Sequence, residues 1–236
     1  MPLLMAFSGL LVAAALIRLT NFLVVRNKSL LCPYCQTPYK GLFVLKGLCP
    51  SCGAPYLIPY VMAEIFTPVI FVLIWQNFGF AIYSAFALLY STAFMALFLT
   101  DMSYKLIPDA VVYPAMVIAI IGEALRSSEL GNHFLGGALS LLLFLAFYAF
   151  GQAFMRWKKV EEVAFGMGDV KLALLIGFIL GYPEGLRALL AGVLFNGFVA
   201  LAIIVKGIVS KRLSPFTPFP YGPGLILSFF IFWLLV

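Results

Sequence analysis

Charge is the scarcest commodity in this chain. Charged side chains make up 10% of its 236 residues, histidine occurs once and cysteine four times. So small a charged share excludes an ordinary water-soluble domain, in which about a quarter of residues are charged. The one histidine, His133, is isolated from any Cys, Ser or acidic cluster on its own loop and reads as a lone surface histidine. A histidine-activated serine or cysteine nucleophile therefore has no support. No internal repeat is present, and no low-complexity tract beyond the apolar runs. The net charge of +6 does not argue for nucleic acid, because the basic residues lie in the loops between apolar runs rather than along one soluble face.

What is abundant is apolar: 64% of the residues. Runs of about 20 such residues match a hydrocarbon core roughly 30 Å thick. Eight segments qualify, at about 3–25, 59–76, 79–100, 107–125, 134–155, 169–182, 187–205 and 221–236, of which 169–182 and 221–236 are short or interrupted by glycine. The expected fold is all-α and polytopic, one membrane-embedded domain over 1–236, with a polar loop at 26–58 inserted between the first two spans. With the first residues outside, nearly all loop Lys and Arg fall inside, leaving Arg126 and Arg187 outside, as the positive-inside rule requires. The first run shows no small-residue cleavage site before Arg26, so a cleaved signal peptide is not expected.

Arg18 interrupts the first run and reads as a snorkelling side chain or one bonded to nearby carbonyls. All four cysteines sit in the 26–58 loop as Cys32-Pro33-Tyr34-Cys35 and Cys49-Pro50-Ser51-Cys52, with 13 residues between the pairs. Two C-x2-C pairs supply the four thiolates of a closed tetrahedral zinc site, a shell that organises a loop and has no open position for hydrolysis. Disulfides or free thiols are the alternative, and a cytoplasmic loop disfavours disulfides. Pro59 suits the first turn of a helix. Glu64, about a turn and a half further on, is either a partly hydrated interfacial carboxylate or a ligand-binding group.

Three aspartates stand where spans meet the inner surface. Asp101 closes the third span, and Pro108-Asp109 opens the fourth, where an acid complements the helix dipole. Asp169 follows two glycines in Gly166-Met167-Gly168-Asp169-Val170-Lys171, at the mouth of an apolar segment. Ionisable groups at membrane depth are costly and mark functional sites by default. Asp101 and Asp169 share one membrane face in this topology, and a close carboxyl pair shares a proton over a wide pH range. One then takes a proton from water while the other donates a hydrogen bond to the attacked carbonyl, without metal or covalent intermediate. For Asp109 the reading is capping of the fourth span.

Elsewhere the charges read as local. Glu123, Arg126 and Glu129 read as solvated charges at the outer end of span four. Arg156-Trp157-Lys158-Lys159 is an interfacial anchor. Asn196-Gly197 reads as a place of close helix contact. The proline-rich run from Pro215 to Gly224 cannot be one continuous helix, and reads as the flank of a groove or a stiff connector.

The ordered set of two C-x2-C pairs, Pro59 with Glu64, Asp101 with Ile107-Pro108-Asp109 and Pro114, Gly166-x-Gly168-Asp169-Val170-Lys171, and Pro220-Tyr221-Gly222-Pro223 resembles the bacterial prepilin peptidases, or type IV leader peptidases. The resemblance runs over nearly the whole chain. It implies a GxGD-class aspartic protease of the bacterial inner membrane, with Asp101 and Asp169 as catalytic pair and Gly166, Gly168, Lys171, Pro108 and Asp109 as supporting motif residues. It implies type IV prepilins or pseudopilins as substrates, cut at the cytoplasmic face after a short basic leader ending in glycine, in pilus assembly, secretion or DNA uptake. Many members also methylate the new N-terminus with S-adenosylmethionine, using the cysteine-bearing cytoplasmic region, which makes Glu64 the candidate for that cofactor. One departure bears on this second activity: Ile17, Arg18 and Leu19 stand where the family usually has a glycine and a serine, a few positions before the asparagine matched by Asn21. Two other classes remain open from the residues alone: a proton-coupled transporter using the aspartates, and a non-enzymatic membrane assembly factor in which they are structural caps.

Overall fold

The computed structural model describes residues 1–25, 52, 58–79, 81–158, 166–210 and 220–235. Among these it holds eight α-helices and no strand: α1 (Pro2–Val25), α2 (Ile58–Phe78), α3 (Ile82–Tyr104), α4 (Asp109–Arg126), α5 (Leu130–Lys158), α6 (Met167–Leu180), α7 (Glu184–Ser210) and α8 (Gly222–Leu235). Each overlaps one of the eight apolar segments. Five of them, α1, α2, α3, α5 and α7, are long and apolar enough to cross a membrane, which makes this a multi-pass membrane protein. The other three differ for physical reasons. In α4, Asp109, Glu123 and Arg126 fall within 18 residues. Both α6 and α8 have 14 residues, about 21 Å at 1.5 Å per residue, short of a roughly 30 Å hydrocarbon core.

The chain divides into two compact units, Met1–Tyr104 and Lys105–Val236. In the first, α1, α2 and α3 all pack on one another. α1 comes close to α2 at Gly9, where a Cβ would lie 2.7 Å from the Cα of Pro68. Only a residue without a side chain admits the neighbouring backbone there. Pro68 itself has no N–H to offer the carbonyl of Glu64 one turn back, and Thr67 Oγ1 donates to the carbonyl of Ala63 at 2.7 Å. Gly79 turns the chain between α2 and α3 at φ +60°. Phe71, Ile74, Tyr90, Phe94 and Leu97 fill the interior. Arg18 bonds to a nearby carbonyl, as read from sequence: its guanidinium donates to Ala14 O at 2.7 Å.

The second unit is built around α6, one of its two shortest helices. α6 packs against α4, α5, α7 and α8, and Leu172, Ala173, Leu175 and Ile176 are fully buried. A helix enclosed by others need not match the bilayer, because protein rather than lipid covers its ends. Small residues permit the enclosure: a Cβ on Gly177 would sit 2.5 Å from Ser140 Cβ and 2.7 Å from Gly136 O, the kind of close approach that apolar helices use in membranes. Large apolar side chains of α5 and α7 remain exposed, among them Leu142, Phe150, Leu194, Phe198 and Leu201. Exposed apolar surface of this kind marks a membrane or protein interface. The close contact expected at Asn196-Gly197 is made by Asn196 and not by Gly197, where a Cβ would meet nothing within 4 Å among the described residues. α8 is received by Gly192 of α7, where a Cβ would lie 2.6 Å from Ser228 Oγ, and Gly224 of α8 lies against the side chain of Asn196.

Candidate active site

The first turn of α6 gathers the motif on which the sequence reading turns. Gly166 caps the helix in an extended conformation, φ −86° and ψ 144°. Asp169 is the third helical residue, and its side chain folds back so that Oδ2 accepts the Gly166 N–H at 3.3 Å. The first N–H groups of a helix lack partners within it, and the helix dipole places positive potential there. A carboxylate is stabilised in that position even though Asp169 is only 8% exposed. Tyr221, immediately before α8, is partly buried and within electrostatic reach of Asp169. Its carbonyl accepts the Asn196 amide at 2.8 Å. Asn196 and Tyr221 are contributions that the sequence did not assign to this site; the Pro220-Tyr221-Gly222-Pro223 motif was the available signal.

The segment leading into α4 meets this turn from one side. A Cβ on Gly168 would lie 2.8 Å from Ile107 Cβ, so Ile107 fills the space a side chain at 168 would need. Pro108 stands at the N-cap with ψ 129° and no side-chain cap bond. Asp109 lies in the first turn of α4, as expected for an acid near the dipole, and it has a second partner. Its Oδ1 accepts Lys171 Nζ at 2.6 Å, and the same ammonium lies 5.3 Å from the centre of the Tyr113 ring. Ile107, Asp109, Gly168, Asp169 and Lys171 thus form one cluster.

Asp101 and Glu64 belong to the other compact unit. α3 continues to Tyr104, so Asp101 lies within its last turn, 6% exposed, rather than closing the helix. Glu64 is 2% exposed in α2. Tyr60 and Tyr104 interact through their side chains, so the start of α2 meets the end of α3. Glu64, one turn after Tyr60, and Asp101, just under one turn before Tyr104, therefore share that end of the helix pair.

At the far end of α6, Arg126 and Glu129 are exposed, as expected of solvated charges, but Glu123 is not. Glu123 is fully buried, with His133 Nε2 at 3.7 Å and an Arg126 guanidinium nitrogen at 3.6 Å from its Oε2. His133 Nδ1 lies 2.9 Å from the Phe178 carbonyl of α6. Cys32, Cys35 and Cys49 lie outside the described residues, and Cys52 is exposed. Among the described residues, no three His, Cys, Asp or Glu side chains are grouped to hold a metal ion.

Residues 87–205, a stretch containing both Asp101 and Asp169, match the family described as "Type IV leader peptidase family". A prepilin leader peptidase/N-methyltransferase of Bacillus subtilis is 27% identical over 204 residues, covering 82% of this chain and 76% of that protein. Proteins of the same name from Legionella pneumophila and Pseudomonas aeruginosa are each 27% identical, over 84% and 89% of this chain and 71% of their own lengths. No solved structure matches the chain. The family match spans half of the sequence and takes in the buried start of α6, and the chain belongs to the type IV leader peptidase family.

Proposed function

We propose that this protein is a membrane aspartic endopeptidase that removes the short basic leader of type IV prepilins or pseudopilins at the cytoplasmic face of the bacterial inner membrane, with Asp101 and Asp169 as its catalytic pair. The observation that carries the proposal is Asp169, a buried carboxylate held at a helix N-terminus within a segment matched by a peptidase family. The names of the relatives support the substrate class.

In the reaction, the ionised carboxylate takes a proton from water as the water oxygen bonds to the scissile carbonyl carbon. The protonated carboxyl donates to the carbonyl oxygen as negative charge develops there. Collapse of the tetrahedral intermediate breaks the C–N bond, and the departing amine takes the proton held by the first carboxyl. The pair returns to its shared-proton state, as in other aspartic proteases. Both carboxyl groups are buried, and charges interact more strongly away from bulk water.

The relatives' names include N-methyltransferase, and the second activity proposed is methylation of the newly exposed N-terminus. S-adenosylmethionine would supply the methyl group, with Glu64 as the candidate contact. The four thiols of Cys32, Cys35, Cys49 and Cys52 are a donor set that fits a closed structural zinc shell, whose role would be to order the 26–58 loop.

The test is cleavage of a prepilin-like substrate by the purified full chain in detergent, comparing wild type with Asp101→Asn and Asp169→Asn. Both folded variants are expected to lose cleavage. Wild-type cleavage by either would remove that residue from the catalytic pair.

A further inference from the structure

The segment Ile107-Pro108-Asp109 touches α6 on both sides of Asp169. Ile107 occupies the space above Gly168, the residue before it, and Asp109 holds Lys171, two residues after it, at 2.6 Å. We propose that the Asp109–Lys171 pair is a positioning device that fixes the first turn of α6 and so aims the Asp169 carboxylate; the role rests on Asp169 being catalytic.

Three features set this pair apart from an incidental surface ion pair. Its partners lie 62 positions apart and on different helices, so it ties α4 to α6 rather than decorating one helix face. The ammonium is held from two directions, by the carboxylate and by the face of Tyr113 at 5.3 Å, and such a cation–π contact limits its freedom. The Lys171 side chain is only 28% exposed although Asp109 is 54% exposed. A half-exposed pair contributes little to global stability. Its leverage is local: Lys171 lies within the same helical turn as Asp169, and a small displacement of a reacting group lowers a rate steeply. Asp109 is a positioning residue here and does not touch the substrate.

The experiment uses the purified full chain and a synthetic prepilin-like polypeptide, with a basic leader, a glycine and an apolar helix, as probe. Asp109→Asn and Lys171→Met are each expected to lower kcat about tenfold while KM stays within about twofold, and to speed amide hydrogen exchange in the 166–171 segment, with α5 exchange unchanged. The double variant should be no slower than the slower single variant, because both remove the same contact. Lys171→Arg should keep kcat within about threefold of wild type, since its cation can still pair with Asp109. Wild-type kcat and exchange in both single variants, with Asp169→Asn inactive, would overturn the positioning role alone, as would losses that multiply in the double variant. Full cleavage by Asp169→Asn would remove Asp169 from the chemistry and the positioning role with it.

Discussion

Gly168→Ala is the perturbation whose consequences can be followed furthest. The added Cβ would stand 2.8 Å from Ile107 Cβ, and ordinary carbon–carbon contact needs at least about 3.5 Å. The backbone of α6 or of the segment before α4 must therefore give way by about 0.7 Å, because a Cβ cannot swing aside as a side-chain tip can. Two effects on stability oppose one another. Overpacking costs about 1–3 kcal/mol, and alanine is favoured over glycine in a helix by about 1 kcal/mol. The net loss of global stability is expected to be small, about 0–2 kcal/mol. The displacement, however, falls on the residue before Asp169. Misplacing a reacting group by about 1 Å costs about a hundredfold in rate, so kcat should drop about tenfold or more. The assay is cleavage of the prepilin-like substrate at saturating concentration, beside thermal unfolding of the same preparation. Gly197→Ala is the internal control, with nothing among the described residues within 4 Å of its Cβ, and should leave both readouts near wild type. A folded Gly168→Ala protein with wild-type kcat would refute the idea that contact with Ile107 sets the position of Asp169.

His133→Ala should destabilise the fold by about 1–3 kcal/mol, since it removes a partner from the Phe178 carbonyl and from buried Glu123; chemical unfolding reads this, and cleavage per folded molecule should hold. Glu64→Gln should abolish methylation of the product while cleavage persists, read as the absence of one methyl mass in the presence of S-adenosylmethionine; retained methylation removes Glu64 from the cofactor site. Cys49→Ser should lower bound zinc from about one ion per chain towards none, measured by elemental analysis; unchanged zinc content would rule out the four-thiol shell.

The positions of all eight helices were legible because the signal is local. A run of apolar residues bounded by glycine, proline or charge needs no knowledge of its neighbours to be recognised as a segment that buries its backbone by hydrogen-bonding to itself. The same holds for the start of α6, where two glycines and an acid announce a special turn. Pairing was not legible, because it depends on contacts between residues far apart in the chain. Glu123 reads as a surface charge until its burial and the approach of His133 from the next helix are seen, and His133 reads as isolated because one of its partners is a backbone carbonyl 45 residues away. Gly197 and Gly192 look equivalent in sequence, yet only Gly192 faces a neighbouring helix.

The sequence by itself therefore determined a helical membrane protein, the order of its segments and the residue types of its candidate chemistry, since length, apolarity and motif spacing are properties of the chain alone. Only the tertiary structure decided that the short α6 is the hub of its unit, that Asp109 pairs with Lys171 and that Ile107 lies over Gly168. A mostly apolar helix of fourteen residues has the same composition whether lipid or other helices surround it, and which of these happens depends on how side chains distant in sequence fit together.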